Sequence, residues 1–197
     1  MTKVGMMFIH GYNSSPETWQ VNGSGQALPY QSEFSKNHLV VNAYIPDYAQ
    51  PDQELILPLL KIIQSNEVSS WIIVTHSLGI RLGLALGRVK GLPIKALIGL
   101  DPTSLDEFYQ EVMVSRGWNK KIISSHDLLP ARIIVRIHLG CSNDNLGALQ
   151  RPIQYYGRFV GANLKSVLQI HPNKGHMIHW TDCPKIMESI HQVISQK

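Results

Sequence analysis

Trp71-Ile72-Ile73-Val74-Thr75-His76-Ser77-Leu78-Gly79 carries an apolar, β-branched run into a serine and then into the helix-forming residues 78–88. A run of that composition reads as a strand, the residues after it as a helix, and the serine as the tip of the sharp turn between them. A serine at such a tip is pushed out above the sheet in a strained backbone conformation, which only small neighbours permit. Ser77 is therefore a candidate nucleophile. The usual pattern is Gly-x-Ser-x-Gly, and Thr75 stands at its first glycine, so a plain strand-to-helix loop is the competing reading.

The rest of the chain repeats the same alternation. Residues 4–9 form a continuous apolar run ended by His10-Gly11, as expected of a strand buried on both faces. Residues 39–45, 94–100, 133–139 and 166–170 read as further strands. Between them lie helical signals: Pro16 after Ser14-Ser15, a short segment at 30–37, and Leu55, Ile56, Leu59, Leu60 and Ile63 at helical spacing. Pro58 is expected to shorten or kink that last helix. A helical stretch follows at 104–114. The segment through Tyr155 and Tyr156 is ambiguous, and a final helix starts near Asp182 with Ile186, Ile190, Val193 and Ile194 on one face. The expectation is an α/β fold, a doubly wound, mostly parallel six-stranded sheet with helices on both faces. His10, Ser77, Asp101, Asp144 and His176 all follow predicted strands, so they should gather at the carboxyl edge, where such sheets bind ligands.

Composition bounds the function classes. The 197 residues suit a single domain over 1–197. Hydrophobic residues make up 44% and charged residues 16%, an ordinary globular balance. The net charge of +4 is scattered and forms no dense basic run with interleaved aromatics, which argues against nucleic acid as a partner. No run reaches membrane-spanning length, so stable membrane insertion is not expected. Cys141 and Cys183 are too few and too far apart for a zinc framework or a disulfide scaffold, and no signal peptide is evident at the start, so a cytoplasmic location is expected. Gly23-Ser24-Gly25 has no strand before it, and Leu28 stands where a dinucleotide loop needs its third glycine.

A serine hydroxyl needs a histidine to take its proton, a carboxylate to orient that histidine, and fixed donors for the oxyanion. In Lys174-Gly175-His176, between the last strand and the last helix, His176 follows a glycine that allows a tight turn, and it is assigned as the general base. Serine, acid and histidine then follow the chain order that accompanies a nucleophile elbow.

Together, His10-Gly11, the elbow Thr75-His76-Ser77-Leu78-Gly79, Gly140 to Asp144 after a strand, and Gly175-His176 resemble the α/β-hydrolase superfamily over nearly the whole chain. The resemblance implies Ser77 as nucleophile, His176 as base, and the backbone NH groups of Tyr12 and Leu78 as the oxyanion hole. It implies a minimal member without the first two strands and largely without a cap, with room for a small helical lid within 103–130. Thr75 and Ile80 depart from the family pattern, and both tighten packing at the elbow. Asp144 occupies the family's most frequent place for the acid and is preferred. Asp101, after the preceding strand, is the alternative and resembles the arrangement in lipases of the pancreatic type.

Other residues carry two readings each. Trp19, Met177 and Trp180 are candidates for a substrate pocket, against a place in the core. His10 is read as a brace for the oxyanion loop and His76 as packing within the elbow. Arg81 is read as a surface residue, against an anchor for an anionic substrate. His171, His176 and His179 lack the carboxylate or cysteine that would complete a metal site, so no metal is expected. The function expected is a serine hydrolase cleaving a carboxylic ester or thioester through an acyl-enzyme, with no cofactor and a small-molecule substrate. The alternatives are a non-catalytic binding module of the same fold, or a lyase or carbon-carbon hydrolase using the same Ser-His pair.

Overall fold

The apolar runs become the strands of one sheet. The computed structural model describes residues 3–105, 111, 114–115, 129–141, 149–161 and 165–196. Strands β1 (Gly5–Ile9), β2 (Leu39–Ala43), β3 (Trp71–His76), β4 (Ile94–Leu100), β5 (Ile134–Cys141) and β6 (Val167–Pro172) pair in the order β2-β1-β3-β4-β5-β6. Every pairing is parallel. β1 and β3 are buried at every residue, which is why their sequences are unbroken apolar or β-branched runs rather than alternating ones.

Side chains alternate across the sheet into two cores. Met7, Ile9, Ile73, Leu97, Ile137 and Leu139 face helices α2 (Asp52–Ser65), α3 (Ile80–Arg88) and α4 (Gln150–Gly161). Met6, Phe8, Ile72, Val74 and Ile98 face α1 (Tyr30–Phe34) and α6 (Cys183–Ser195), with the one-turn helix α5 (Ile178–Thr181) beside them. Helices therefore cover both faces, and α2 and α6 contribute the apolar stripes their sequence spacing predicted, with Leu55, Leu59 and Ile63 of α2 and Ile186, Ile190 and Val193 of α6 buried.

Two expectations change. α2 runs uninterrupted through Pro58, because Pro58 and Glu54 both lie on the exposed side, where water satisfies the carbonyl that proline leaves without a donor. The ambiguous segment around Tyr155 and Tyr156 is helix α4, its aromatic side packed on the sheet. Most of the expected helical stretch at 104–114, and of the lid within 103–130, lies outside the described residues. No helix among the described residues is long and apolar enough to cross a membrane.

The strand order reverses between β1 and β3, so the chain leaving β1 and the chain leaving β3 diverge and open a crevice at the carboxyl edge. All four non-glycine residues with positive φ among those described lie on that edge: Asn13 after β1, Ser77 after β3, Asp101 after β4 and Asn173 after β6. Non-glycine residues in this region are strained by roughly 1–3 kcal/mol each and persist only where the surroundings dictate them.

Candidate active site

Ser77 leaves β3 with φ 50° and begins a single 3-10 turn, Ser77–Gly79, that leads directly into α3. The turn is possible because of what stands against it. A Cβ on Gly79 would lie 2.8 Å from the carbonyl oxygens of both Ile9 and His10, so only glycine lets the turn approach the end of β1. A Cβ on Gly11 would lie 3.0 Å from Cβ of Ser77, which sets the Gly11–Tyr12 segment directly beside the serine. The NH of Leu78 belongs to the first turn after the elbow, where backbone donors have no partner within the helix.

The two departures from the family pattern are matched by glycines elsewhere. A Cβ on Gly83 would lie 2.9 Å from the methyl of Thr75, and one on Gly99 would lie 3.1 Å from Cδ1 of Ile80. The larger side chains thus occupy volume that Gly83 and Gly99 leave open. Thr75 Oγ1 donates to the Ile98 carbonyl at 3.3 Å, so its hydroxyl is also accommodated.

His176 stands on the loop between β6 and α5, its side chain half exposed. Its Nδ1 is hydrogen-bonded to Oδ2 of Asp101, and the other oxygen of Asp101 accepts from the backbone NH of Gly140 at 3.1 Å. The backbone NH of Asp101 donates to the His138 carbonyl at 2.7 Å, which anchors the acid to β5. Asp101 therefore has a fixed position and leaves Nε2 of His176 as the nitrogen available to the crevice. Asp144, the acid preferred from sequence, lies outside the described residues. Asp101, the alternative, is the carboxylate that His176 meets.

Ser77 Oγ lies 3.4 Å from Thr103 Oγ1, and Thr103 NH donates to the Ser77 carbonyl at 3.3 Å. Tyr156 of α4 donates to the Thr103 carbonyl at 2.5 Å. Thr103 belongs to no motif in the sequence. Its signal is its place two residues after Asp101, on the same strand end.

His10 ties the segment after β1 to the end of β2. Its Nε2 accepts from Ile45 NH at 3.1 Å, so its proton sits on Nδ1, which donates to Gly11 O at 2.8 Å. Tyr48 OH donates to the His10 carbonyl. Burial holds the His10 imidazole below its usual range, partly opposed by the Gly11 hydrogen bond.

Arg81 corrects the sequence reading. It is 2% exposed rather than on the surface, and its guanidinium holds Asp52 Oδ1, Tyr48 O at 2.6 Å and Gln50 O at 2.7 Å. It pins the loop after β2 to α3. Trp19 is fully buried against Phe8 and His179, with ring centroids 5.2 and 4.9 Å away, and is a core residue. Trp180 donates from Nε1 to Thr18 O at 2.9 Å and packs over Gly23, holding the 21–27 loop. Met177 is half buried beside His176.

A second polar array lies behind the base. Asp182 accepts from Nδ1 of His171 at 2.7 Å, Nε2 of His171 bonds Nδ1 of His138 at 2.9 Å, and Nε2 of His138 bonds Ser189 Oγ at 3.0 Å. With Asp182 ionised and both imidazoles neutral, every hydrogen points from Ser189 toward Asp182. The array closes the 171–182 loop that carries His176. Its signals in the sequence were polar residues at inward positions, His138 in an apolar strand and Ser189 on the apolar side of α6. His179 has a separate partner, Thr18 Oγ1 at 3.1 Å.

No family model matches the chain, and no curated protein matches it. Solved structures do, and they show its fold, that of the α/β hydrolases. MenH from S. aureus is 14% identical and aligns over 98% of this chain and 94% of its own, with a TM-score of 0.65. A thermophilic esterase from Thermogutta terrifontis, malate bound, is 12% identical over 98% of this chain and 90% of its own, with a TM-score of 0.60. A putative non-heme bromoperoxidase, BpoC from Mycobacterium tuberculosis, is 9% identical over 98% and 92%, with a TM-score of 0.69.

Proposed function

We propose that this single-domain chain is a serine hydrolase that cleaves a small carboxylic ester or thioester through an acyl-enzyme. The observation that carries this reading is the hydrogen-bonded pair of His176 and Asp101 on the same sheet edge as a serine held at φ 50° in a strand-to-helix turn, with His176 tied to the residue before that serine through His76 at 3.0 Å. The fold it shares with an esterase and with epoxide hydrolases adds support for hydrolysis as the reaction class.

In this mechanism Ser77 Oγ attacks the substrate carbonyl while Nε2 of His176 takes its proton. Nδ1–H of His176 stays on Asp101, which holds the productive tautomer and stabilises the imidazolium. The oxyanion of the tetrahedral intermediate accepts hydrogen bonds from the NH groups of Leu78 and Tyr12, which are preorganised on either side of the elbow. Collapse breaks the bond to the leaving group, which receives the proton from His176. A water, deprotonated by the same nitrogen, then releases the acid and restores Ser77.

Cys141 and Cys183 are in no disulfide, which favours a reducing compartment such as the cytoplasm. The test is labelling of the purified chain with a fluorophosphonate. The native protein is expected to label and Ser77→Ala to remain unlabelled. No labelling of the native chain, or equal labelling of both, overturns the assignment, and product analysis on ester, thioester and β-diketone panels separates ester hydrolysis from carbon-carbon cleavage.

A further inference from the structure

The His171–Asp182 pair closes the loop that carries His176 at its two ends, and His176 lies midway between them. Its ring is half exposed, Gly175 precedes it, and Asn173 sits at φ 60°. Asp101 fixes one nitrogen of the ring. The main chain of His176 is fixed by a different residue, His76, which immediately precedes the nucleophile.

We infer that His76 is a positioning residue for His176: its Nε2–H holds the main-chain carbonyl of the base and so sets where the base's ring stands over the elbow. The inference rests on the Ser77–His176 reading above. The distance from Nε2 of His76 to the His176 carbonyl oxygen is 3.0 Å. A carbonyl only accepts, so the histidine nitrogen must be the donor and the tautomer is determined. The two rings also pack directly, with centroids 4.7 Å apart.

Core filling alone does not account for a histidine here. His76 is 4% exposed, and its Nδ1 is buried without a hydrogen-bond partner among the described residues. A buried unsatisfied nitrogen is a cost that an apolar side chain of the same size avoids. What the imidazole supplies in exchange is the donor to His176. Below it, His179 packs on His76 at 4.3 Å and Trp19 on His179 at 4.9 Å, so the donor is backed by a column of rings anchored in the core.

The same burial keeps the support neutral. The groups facing His76 are His176, His179, His10 and Asp101. Burial, and then the neighbouring His176, push the His76 imidazole down to about 4, and burial pushes His179 down to about 2. When His176 becomes an imidazolium during catalysis, its neighbour therefore carries no opposing charge. His76 joins the elbow to the base: the residue before Ser77 sets the height of the ring that deprotonates Ser77.

Two full-length variants test this. His76→Phe keeps the ring volume and removes the donor. His76→Gln keeps a donor at nearly the same reach, since its amide nitrogen lies as many bonds from Cα as Nε2 of histidine. With a chromogenic short-chain ester, His76→Phe is expected to lower kcat by about 100-fold, the scale of a displaced catalytic group, with KM held within about two-fold. His76→Gln is expected to recover most of the loss. Full kcat in His76→Phe, a loss confined to KM, or a Gln variant as slow as the Phe variant overturns the inference. Imidazole NMR on the isotope-labelled native protein provides a readout that needs no turnover. His76 is expected to be neutral and protonated at Nε2 from about pH 5 to about pH 8, with the His176 ring signals displaced in His76→Phe and returned toward their native positions in His76→Gln. A proton on Nδ1 instead, or unmoved His176 signals, overturns it. A native chain without turnover would overturn the hydrolase reading alone, and the NMR result would then decide the positioning by itself.

Discussion

Asp101 and His176 lie 75 residues apart in the chain and meet through a hydrogen bond from Nδ1 to Oδ2. β4 delivers the aspartate, β6 delivers the loop of the histidine, and β5 between them supplies the NH of Gly140 that holds the second carboxylate oxygen. Asp101→Asn presents an amide where a carboxylate orients the histidine. It is expected to lower kcat on a chromogenic ester by about 10³- to 10⁴-fold, the scale seen when a triad loses its acid. Asp144→Asn made in parallel is expected to stay within a few-fold of the native rate. A large loss in Asp144→Asn with near-native Asp101→Asn would return the acid to Asp144.

Gly140 has a second role. A Cβ on it would lie 2.4 Å from the Gly175 carbonyl oxygen, a backbone atom that cannot rotate away. Gly140→Ala is therefore expected to push the His176 loop outward, lowering kcat by about 100-fold with little change in KM. Steady-state kinetics alongside thermal melting separates this from unfolding: a variant that melts early but turns over normally when folded would contradict it.

Arg81 is buried with the Asp52 carboxylate at its Nε. Asp52→Ala removes the negative partner of a buried guanidinium, a change that typically costs about 3–5 kcal/mol. Urea denaturation should show the unfolding free energy lowered by that amount, read as a lower midpoint at an unchanged slope. The double variant Asp52→Ala/Arg81→Met is expected to recover part of the loss, because it removes the buried charge as well. An unchanged midpoint in Asp52→Ala would show that the pair does not support the loop after β2.

Acid stability follows from the buried histidines. Burial is the first cause in each case and holds His76 at about 4, His138 at about 3 and His179 at about 2, against an ordinary value of 6.5. Their folded pKa values lie below the unfolded one, so the unfolded chain binds protons first as the pH falls. The stability of the neutral forms is fully present above about pH 6.5 and declines below it, by up to ~1.4 kcal/mol per group for each pH unit. Three such groups act together between about pH 6 and pH 4, so a domain of ordinary stability is expected to unfold near pH 4–5. Denaturation midpoints that stay level from about pH 7 down to pH 5 would show that these imidazoles are already solvated in the fold.

The sequence by itself determined the strands, the sheet class and the position of the elbow. Unbroken apolar runs such as 71–75 have one stable use, as strands covered on both faces, and alternation with helices then leads to a parallel sheet whose loops share one edge. Local chemistry also marked Ser77 as a candidate, because it stands at the junction of such a strand and such a helix with Gly79 two residues on. Other features depended on distances that sequence spacing does not contain. Pro58 looked disruptive because its exposure was unknown. Arg81 looked like a surface residue because its partners, the Tyr48 and Gln50 carbonyls of the loop after β2 and Asp52 at the start of α2, lie about 30 residues away in the chain. Asp101 and Asp144 both follow strands, and the resemblance alone favoured Asp144. Only the tertiary structure brings Asp101 to His176, because β5, between β4 and β6, presents Gly140 NH to one oxygen of the carboxylate and leaves the other facing the imidazole.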